Sequence, residues 1–529
     1  MVQQQSRQRF QLGVETATDL IRRQIVRGSG RRRGASEDEQ PLRAELFSIR
    51  QLEQHAKTLA EWHEVRTSRG IKDRLLPRLR SNEVVLASTY QLVADAVARG
   101  RRITPAAEWF LDNYYLIEDQ IRAARRHLPR AYSRELPRLI KDPSFGYPRV
   151  YIIALELISH ADGRVDGESL RAFVTAYQSV KPLRLGELWA IPIRLRLALL
   201  ENLRRVAARI TAGRMHRELA AVWIERILDA AAETPTKTVL ALADMVRADP
   251  PLTNAFVSEF ASRLHGQGPA LTFPMTWLEQ RLSEQGQTID HVFQQSSHNQ
   301  AADQVSIGNS IGSLRFLGAT DWRDFVESMS LVETALCRDP AGVYGRMDFT
   351  TRDRYRHVVE ELARRGGRGE EEVAQAAIEL ARAGDGSMPP DPQSGRDGQA
   401  SHVGYYLINR DGRRALERSL RVPATPVQML RRAAGRFPLT IYLGSIALLT
   451  ALVSWEIVWW ASRLGVSAGA LGAASIFVII CASQLAITII HWLSPLLTRP
   501  EILPRMDFSE GLPPEHRTVV AVPAILSDP

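Results

Sequence analysis

Two short runs contain residue types that bind ions or phosphate in other proteins. The run 162–167 (DGRVDG) lacks the alternating ligands and the terminal glutamate of a calcium-binding loop, so we interpret it as a turn followed by a helix with Asp166 as its N-cap. The run 306–313 (SIGNSIGS) has no lysine after its second glycine, as a phosphate-binding loop would require. We predict that it is a turn leading into a helix.

Histidine and cysteine give no clearer signal for a site. The twelve histidines include no HExxH sequence and no pair at metal-binding spacing, and the two cysteines, Cys337 and Cys481, lie far apart. We therefore predict no metal ligands, no catalytic residues and no disulfide framework. No apolar segment of a cleavable signal peptide begins the chain, so its first part is expected to stay in a reducing cytoplasm.

Positive charge is concentrated at the start of the chain. The formal net charge is +9 and the pI is about 9.7, and residues 1–40 are predicted to be a basic flexible N-terminal arm. A solvated tail, a contact with anionic lipid headgroups and a nucleic-acid contact are all compatible with such an arm. No recognition motif accompanies it, so nucleic acid is not a predicted partner.

Residues 41–382 are predicted to be a helical cytoplasmic region. Leucine, valine and isoleucine recur at helical spacing from Leu195 to Ile210, while arginines, Arg194 among them, occupy the other faces. The apolar run 150–158 is too short to cross a bilayer and is predicted to be a buried helix, with Pro148 near its start.

Gly, Pro, Ser and Asp then dominate residues 383–401, which are predicted to be a flexible linker. Residues 402–436 are predicted to be a basic segment that approaches a membrane. Four arginines lie between positions 421 and 436.

Charge almost disappears after this point. Residues 437–462 and 466–495 are each long enough to cross a hydrocarbon core of roughly 30 Å, which predicts a hairpin of two transmembrane helices. The alternative is a buried hairpin of a soluble protein. Glu456 lies beside tryptophans typical of a membrane interface, where pairing with Arg463 is an option.

The flanking charges and the small residues of the hairpin predict its setting. The connection between the spans contains one arginine, whereas more arginines lie on both outer sides, so both chain ends are predicted to be cytoplasmic. The second span begins with small residues that favour close packing against other spans. These residues are Gly469, Ala470, Gly472, Ala473, Ala474 and Ser475.

Residues 496–529 begin as an extended, proline-rich segment. The β-branched run 517–523 then predicts one buried parallel strand. Because one strand cannot form a sheet, we expect the sequence to be the first part of a longer protein.

Several segments, in this order, resemble the cyclic β-1,2-glucan synthases. The resemblance covers nearly the whole chain from about residue 40, and its segments are specific together rather than singly. They are 110–122, 146–151, 161–164, 186–192, 201–205, 306–311, 339–344, 347–349, 352–356 and 506–526.

The resemblance implies a large bacterial inner-membrane protein that is multi-pass. It further implies a processive GT-A-like glycosyltransferase that uses UDP-glucose and a divalent metal, Mg or Mn, to build β-1,2-glucan on the protein itself, and a later phosphorylase-like region. Residues 496–529 would then contain the first strand of that transferase, truncated, and the fragment alone would lack the catalytic residues and any cofactor. The implied partners are the lipid bilayer, the remaining regions of the parent protein and the growing glucan.

The expected fold is therefore mainly α, with a helical region, a transmembrane hairpin and one strand of a GT-A-like domain. Nucleotides bind at the carboxyl ends of strands in open α/β sheets, so the resemblance implies that Val522, Pro523 and Ala524 contact the nucleotide sugar, although strand termination alone would explain them. The aromatic and acidic run 112–119 is compatible with a glucan groove, but helix packing with a solvated acidic face is the commoner arrangement. A non-enzymatic membrane-anchored helical scaffold is the alternative function.

Overall fold

The computed structural model describes residues 42, 44–66, 74–128, 136–141, 144–268, 271–385, 399–423, 429, 437–465, 467–497, 503–509 and 511–514. These residues are mainly helical, which confirms the predicted α class. The strands β1 (Val65–Arg66) and β2 (Arg138–Leu139) form a two-stranded antiparallel sheet that pairs Val65 with Leu139. The predicted strand 517–523 lies outside the described residues, so the GT-A-like domain stays a prediction.

The chain divides into two compact units, Met1–Ser330 and Leu331–Pro529. The helices of the first unit are α1 (Ile49–Trp62), α2 (Leu75–Ala98), α3 (Pro105–Asp112), α4 (Tyr114–Arg126), α5 (Arg149–His160), α6 (Gly167–Gln178), α7 (Leu185–Glu233), α8 (Pro235–Ala248), α9 (Asn254–Leu264), α10 (Thr272–Glu284), α11 (Ile289–Ala319) and α12 (Trp322–Met329).

The long helix α7 runs through both cores of the first unit. Its first half, including the apolar positions Leu195 to Ile210, packs in a core shared with α1–α6, α11 and α12. Its second half places Trp223, Ile224 and Ile227 in a smaller core with α8–α10. The predicted helix is confirmed, and Arg194, predicted on a different face from the leucines, is completely buried because neighbours surround this part of α7 on several sides.

Bidentate ion pairs cross the larger core. Arg149 at the start of α5 donates from Nε and Nη2 to Glu187 at 2.7 and 2.6 Å, and Arg78 of α2 donates to Glu201 at 3.0 and 2.6 Å. Burial alone would raise the pKa of Glu201, but the hydrogen bond and charge of Arg78 lower that pKa to about 2. These ion pairs fix α2 and α5 against α7.

The run 162–167 is a turn followed by a capped helix, as predicted. The Asp166 carboxylate accepts a hydrogen bond from the Ser169 amide at 2.9 Å and caps α6. The predicted helix at 150–158 is likewise confirmed by α5, which is buried along most of its length.

The prediction of a turn at 306–313 was wrong, since this run lies inside α11. Ser306, Ser310 and Ser313 fall on one face of the helix, and the Ser313 hydroxyl donates to the Gly163 carbonyl at 2.8 Å. The Asn202 amide donates to Ser306 and Ser310. Ser313 thus satisfies the Gly163 carbonyl, whereas Ser306 and Ser310 bond to Asn202 of α7, and all three serines are buried.

The second unit has its own core and a separate pair of long apolar helices. Its helices are α13 (Leu331–Leu336), α14 (Phe349–Gly366), α15 (Glu370–Asp385), α16 (Val403–Leu407), α17 (Arg410–Ser419), α18 (Pro438–Arg463) and α19 (Ala468–Leu497). Helices α13–α17 surround one apolar core. Helix α15 continues to Asp385, so the first three residues of the predicted linker 383–401 are helical. Residues 386–398 lie outside the described part of the chain.

Candidate functional site

Helices α18 and α19 are consecutive, are rich in apolar residues and pack against each other as a hairpin. Their spans Leu439–Arg463 and Gly469–Leu496 are long and apolar enough to cross a membrane. Large side chains on both helices face outward: Trp455, Phe477 and Trp492 are 73%, 71% and 69% exposed. Helices of a soluble core would bury such side chains, so the exposure favours a lipid environment.

The buried residues of the hairpin are small. Ala482 and Ala486, one turn apart on α19, and Ser454 on α18 are almost completely covered. The glycines of the predicted small-residue run differ, because a Cβ atom added at Gly469 or Gly472 would meet nothing within 4 Å. Packing of that run against further spans therefore stays a prediction.

The hairpin end near Arg463 carries an aromatic contact. The Arg463 guanidinium lies over the Trp459 ring, 4.3 Å from its centroid. Among the described residues, Arg463 thus contacts Trp459, and no ion pair joins it to Glu456. This arrangement matches an interfacial position of the tryptophan belt.

The segment after the hairpin returns to the helical part of the same unit. Residues 505–507 run antiparallel to residues 346–348, with an isolated bridge between Met506 and Met347. The Asp348 amide donates to the Arg505 carbonyl at 3.0 Å, and the Asp507 amide donates to the Arg346 carbonyl at 2.8 Å. We call residues 503–509 the return segment.

The first turn of α14 completes this docking. The Arg505 amide donates to the Thr351 hydroxyl at 3.0 Å, while the Thr351 amide donates to the Asp348 carboxylate at 3.0 Å and caps the helix. The return segment is therefore held by backbone groups of Arg346 and Asp348 and by the side chain of Thr351.

A buried cluster of charged side chains around Glu333 contacts the first two turns of α14. The Glu333 carboxylate accepts hydrogen bonds from the Tyr344 hydroxyl and from Arg356 Nη1, both at 2.6 Å, and from Arg352 Nη1 at 2.8 Å. Burial, followed by the charge of Glu333, raises the pKa of Tyr344, so that its hydroxyl remains a donor. The Arg356 side chain is completely buried, and Glu333 supplies its compensating charge.

A second carboxylate connects the 339–344 loop to α16. Asp339 accepts hydrogen bonds from the amides of Val343, Tyr344 and Val403 and from His402 Nδ1. Burial would raise the pKa of Asp339, but these bonds lower it. The carboxylate is therefore ionised at neutral pH and holds the 339–344 loop in place. We call residues 339–356, to which the return segment bonds, the docking platform.

The structure describes only some of the residues that the sequence analysis considered as sites. Val522, Pro523 and Ala524 are outside the described residues, so their nucleotide contact stays a prediction. The run 112–119 spans the break between α3 and α4, where Asn113 is buried and accepts a hydrogen bond from Arg315 at 2.6 Å. Tyr114 stacks on Tyr90, and Glu118 and Asp119 face solvent. The run therefore has the commoner of the two expected arrangements, helix packing with a solvated acidic face.

Sequence reasoning missed Glu333, Asp339 and Thr351 as organising residues. The available signal for Asp339 and Thr351 was their position inside or beside the segments 339–344, 347–349 and 352–356, which carried the family resemblance; Glu333 lies outside these segments. Those segments meet in one place, at the docking platform of the return segment.

No family model matches the chain. The chain is 29% identical over 486 residues, or 92% of its length, to the cyclic β-(1,2)-glucan synthase NdvB of Rhizobium meliloti (strain 1021). It spans 17% of the length of that relative. The family-level resemblance predicted from the sequence is thereby confirmed.

Proposed function

We propose that this chain is the N-terminal, membrane-anchored part of a processive inner-membrane glucosyltransferase that makes cyclic β-1,2-glucan from UDP-glucose. The observation that carries this proposal is the similarity to a cyclic glucan synthase over 92% of the chain. Glucan synthesis is a membrane process in this proposal, and the exposed apolar hairpin supplies an anchor.

The docked return segment supports a topology for the hairpin. Helix α17 precedes the hairpin and belongs to the same small core as the turn that binds the return segment. The common core of these two elements supports our proposal that both ends of the hairpin lie on one side of the membrane. The arginines on the outer flanks support a cytoplasmic location for that side in this proposal.

This arrangement gives the helical units a positioning role. The return segment, which follows the second span in the chain, makes three hydrogen bonds to residues 346–351. Whatever follows the return segment therefore starts from a defined place near the membrane surface. In this proposal that next part is the transferase, whose first strand would contain Val522, Pro523 and Ala524 and contact the nucleotide.

UDP-glucose binding, the divalent metal, Mg or Mn, and the acceptor glucan are assigned to other parts of the complete enzyme. Residues of the described chain position that enzyme and hold it at the bilayer. The chemistry itself is not attributed to any described side chain.

A chromosomal in-frame deletion of residues 42–514 in the source bacterium tests the proposal. Neutral cyclic β-1,2-glucan extracted from the cells should disappear and return when the intact gene is supplied on a plasmid. A plasmid gene lacking only 437–497 should not restore it. Unchanged glucan in the deletion strain would contradict the proposal and favour the non-enzymatic scaffold.

A further inference from the structure

Helices α1 and α5 bring three metal-ligating side chains together on the first unit. His55, Glu156 and His160 each present one ligand atom, and these atoms lie within 4.8 Å of one another. His55 Nε2 is 3.1 Å and His160 Nε2 is 3.7 Å from the same Glu156 oxygen, Oε2. The side chains are 26%, 34% and 12% exposed in chain order, so solvent reaches the cluster from one side.

The other nitrogen of His160 fixes the ring. Its Nδ1 lies 2.8 Å from the Glu45 carbonyl oxygen, which can only accept a hydrogen bond. Nδ1 therefore carries the proton, and in the neutral ring Nε2 presents its lone pair toward Glu156. A ring nitrogen oriented by a carbonyl in this way is the usual second-layer arrangement of a metal-bound histidine.

Aromatic packing and backbone bonds hold the same ring in place. The Phe47 ring stacks on His160 at 3.9 Å between centroids, with an angle of 8° between the planes. The Phe47 amide donates to the His160 carbonyl and the Ala44 amide donates to the Ser159 carbonyl, each at 3.0 Å. The cluster therefore has a preorganised ligand rather than a loose surface histidine.

The charges in the cluster favour a bound cation. A lone pair of His160 and the carboxylate of Glu156 point into the same space, and two such groups repel each other unless a proton or a metal ion lies between them. His55 contributes a second imidazole to that space. Two imidazoles and one carboxylate are a donor set that suits zinc, whereas Mg²⁺ prefers oxygen ligands.

We propose that His55, Glu156 and His160 form a binding site for Zn²⁺, with three protein ligands and a fourth position open to water. Zinc–ligand distances of roughly 2.0–2.2 Å require the three side chains to close by small rotamer changes, which their partial exposure permits. The ion would connect α1 to the end of α5 and secure the 44–48 segment. This site is independent of the divalent metal proposed for glucosyl transfer.

Titration of the full chain with ZnCl₂ tests the site. The tag-free protein is purified in detergent, stripped with a chelator and followed by isothermal titration calorimetry at pH 7.5. We expect one Zn²⁺ per chain, and an increase of the melting temperature with zinc concentration because only the folded chain assembles the site. Co²⁺ in place of Zn²⁺ should give visible absorption bands of a four-coordinate site.

Ligand variants identify the residues. His160→Asn and Glu156→Gln should each weaken Zn²⁺ binding by at least about tenfold, since removal even of supporting groups costs roughly 10–100-fold in such sites. His298→Asn, which changes an exposed histidine on α11, is the matched control and should leave binding unchanged. Excess Mg²⁺ should not displace the bound zinc.

The third ligand, His55, keeps the test decisive if either α5 variant fails to fold. Circular dichroism of the metal-free proteins reports folding, and His55→Gln then serves as the ligand variant. Absence of stoichiometric Zn²⁺ binding by the wild type would overturn the proposal. Equal affinity in folded ligand variants and in His298→Asn would also overturn it.

Discussion

His63 lies buried at the end of α1, where its Nδ1 is 2.9 Å from the Tyr177 hydroxyl. Burial, together with the nearby charge of Arg149, lowers its pKa to about 4, and Lys181 adds to this effect while Glu156 opposes it. The folded chain thus holds this imidazole neutral, whereas the unfolded chain takes up a proton near pH 6.5.

Stability should therefore fall as the pH is lowered from about 6.5 toward 4, because the unfolded state binds the extra proton. The full effect of His63 is about 3 kcal/mol, at about 1.4 kcal/mol per pKa unit. Thermal melts of the detergent-solubilised chain across this range would measure it. His63→Asn should flatten the pH dependence, and the exposed-site control His127→Asn should not.

At this scale, local sequence predicts caps but not distant partners. Asp166 was predicted because its acceptor role involves an amide three residues away. Asp339 bonds the Val403 amide, 64 positions along the chain, and Glu333 bonds Arg356 from the preceding helix α13. Such pairs depend on tertiary packing, which residue spacing alone does not reveal.

At the scale of elements, the contact between α11 and the 162–164 turn predicts a sharp intolerance to substitution. Gly163 has φ +78°, and a Cβ atom there would lie 2.6 Å from the Ser310 hydroxyl oxygen. Gly163→Ala should lower the free energy of unfolding by about 2–5 kcal/mol, from left-handed backbone strain of roughly 1–2 kcal/mol plus overpacking of roughly 1–3 kcal/mol.

Gly100→Ala separates these two causes. Gly100 has φ +66°, but an added Cβ atom would meet nothing within 4 Å, so only the backbone strain applies. Thermal or urea unfolding of both variants should show the larger loss for Gly163→Ala. Equal losses would mean that the serine face of α11 does not press on the turn.

The return segment supplies a second prediction at this scale. Thr351→Val removes the acceptor of the Arg505 amide and should speed hydrogen exchange at residues 505–507 by about five- to tenfold, as expected for the loss of about 1 kcal/mol. Exchange measured by mass spectrometry on the full chain reports this directly. Thr350→Val, in the exposed neighbouring position, should leave exchange unchanged.

Helical periodicity predicted the helix that contains Leu195 to Ile210, whereas the error at 306–313 arose because composition was followed instead of periodicity. The serines of 306–313 recur at i, i+4 and i+7, which is the period of one helix face, yet glycine content favoured a turn. Gly308 and Gly312 sit inside α11 with open space at their Cβ positions. The extent of α7 was also missed, because burial on several sides hides the amphipathic pattern.

At the scale of the whole molecule, the hairpin predicts a pattern of chemical accessibility. In a variant lacking Cys337 and Cys481, new cysteines at Met429 and Leu512 should react with a membrane-impermeant maleimide only after the cells are permeabilised. A cysteine at Ser467, in the connection between the spans, should react in intact cells. Labelling of Met429→Cys and Leu512→Cys on opposite sides would contradict the docking of the return segment.

The sequence predicted the mainly helical class and the two apolar spans because composition and period specify both. It did not predict that the resemblance segments 339–344, 347–349 and 352–356 converge on one platform beneath the return segment. That convergence requires three-dimensional contacts. It supports the proposed role of the second unit in positioning the part of the protein that follows the hairpin.

The most direct test of the account measures UDP-glucose incorporation in membranes. Membranes from the source bacterium carrying the intact gene are incubated with radiolabelled UDP-glucose, and label is quantified in β-1,2-linked glucan. We predict incorporation that is lost when residues 437–497 are deleted from the chromosomal gene. Undiminished β-1,2-glucan labelling in that deletion strain would contradict the account.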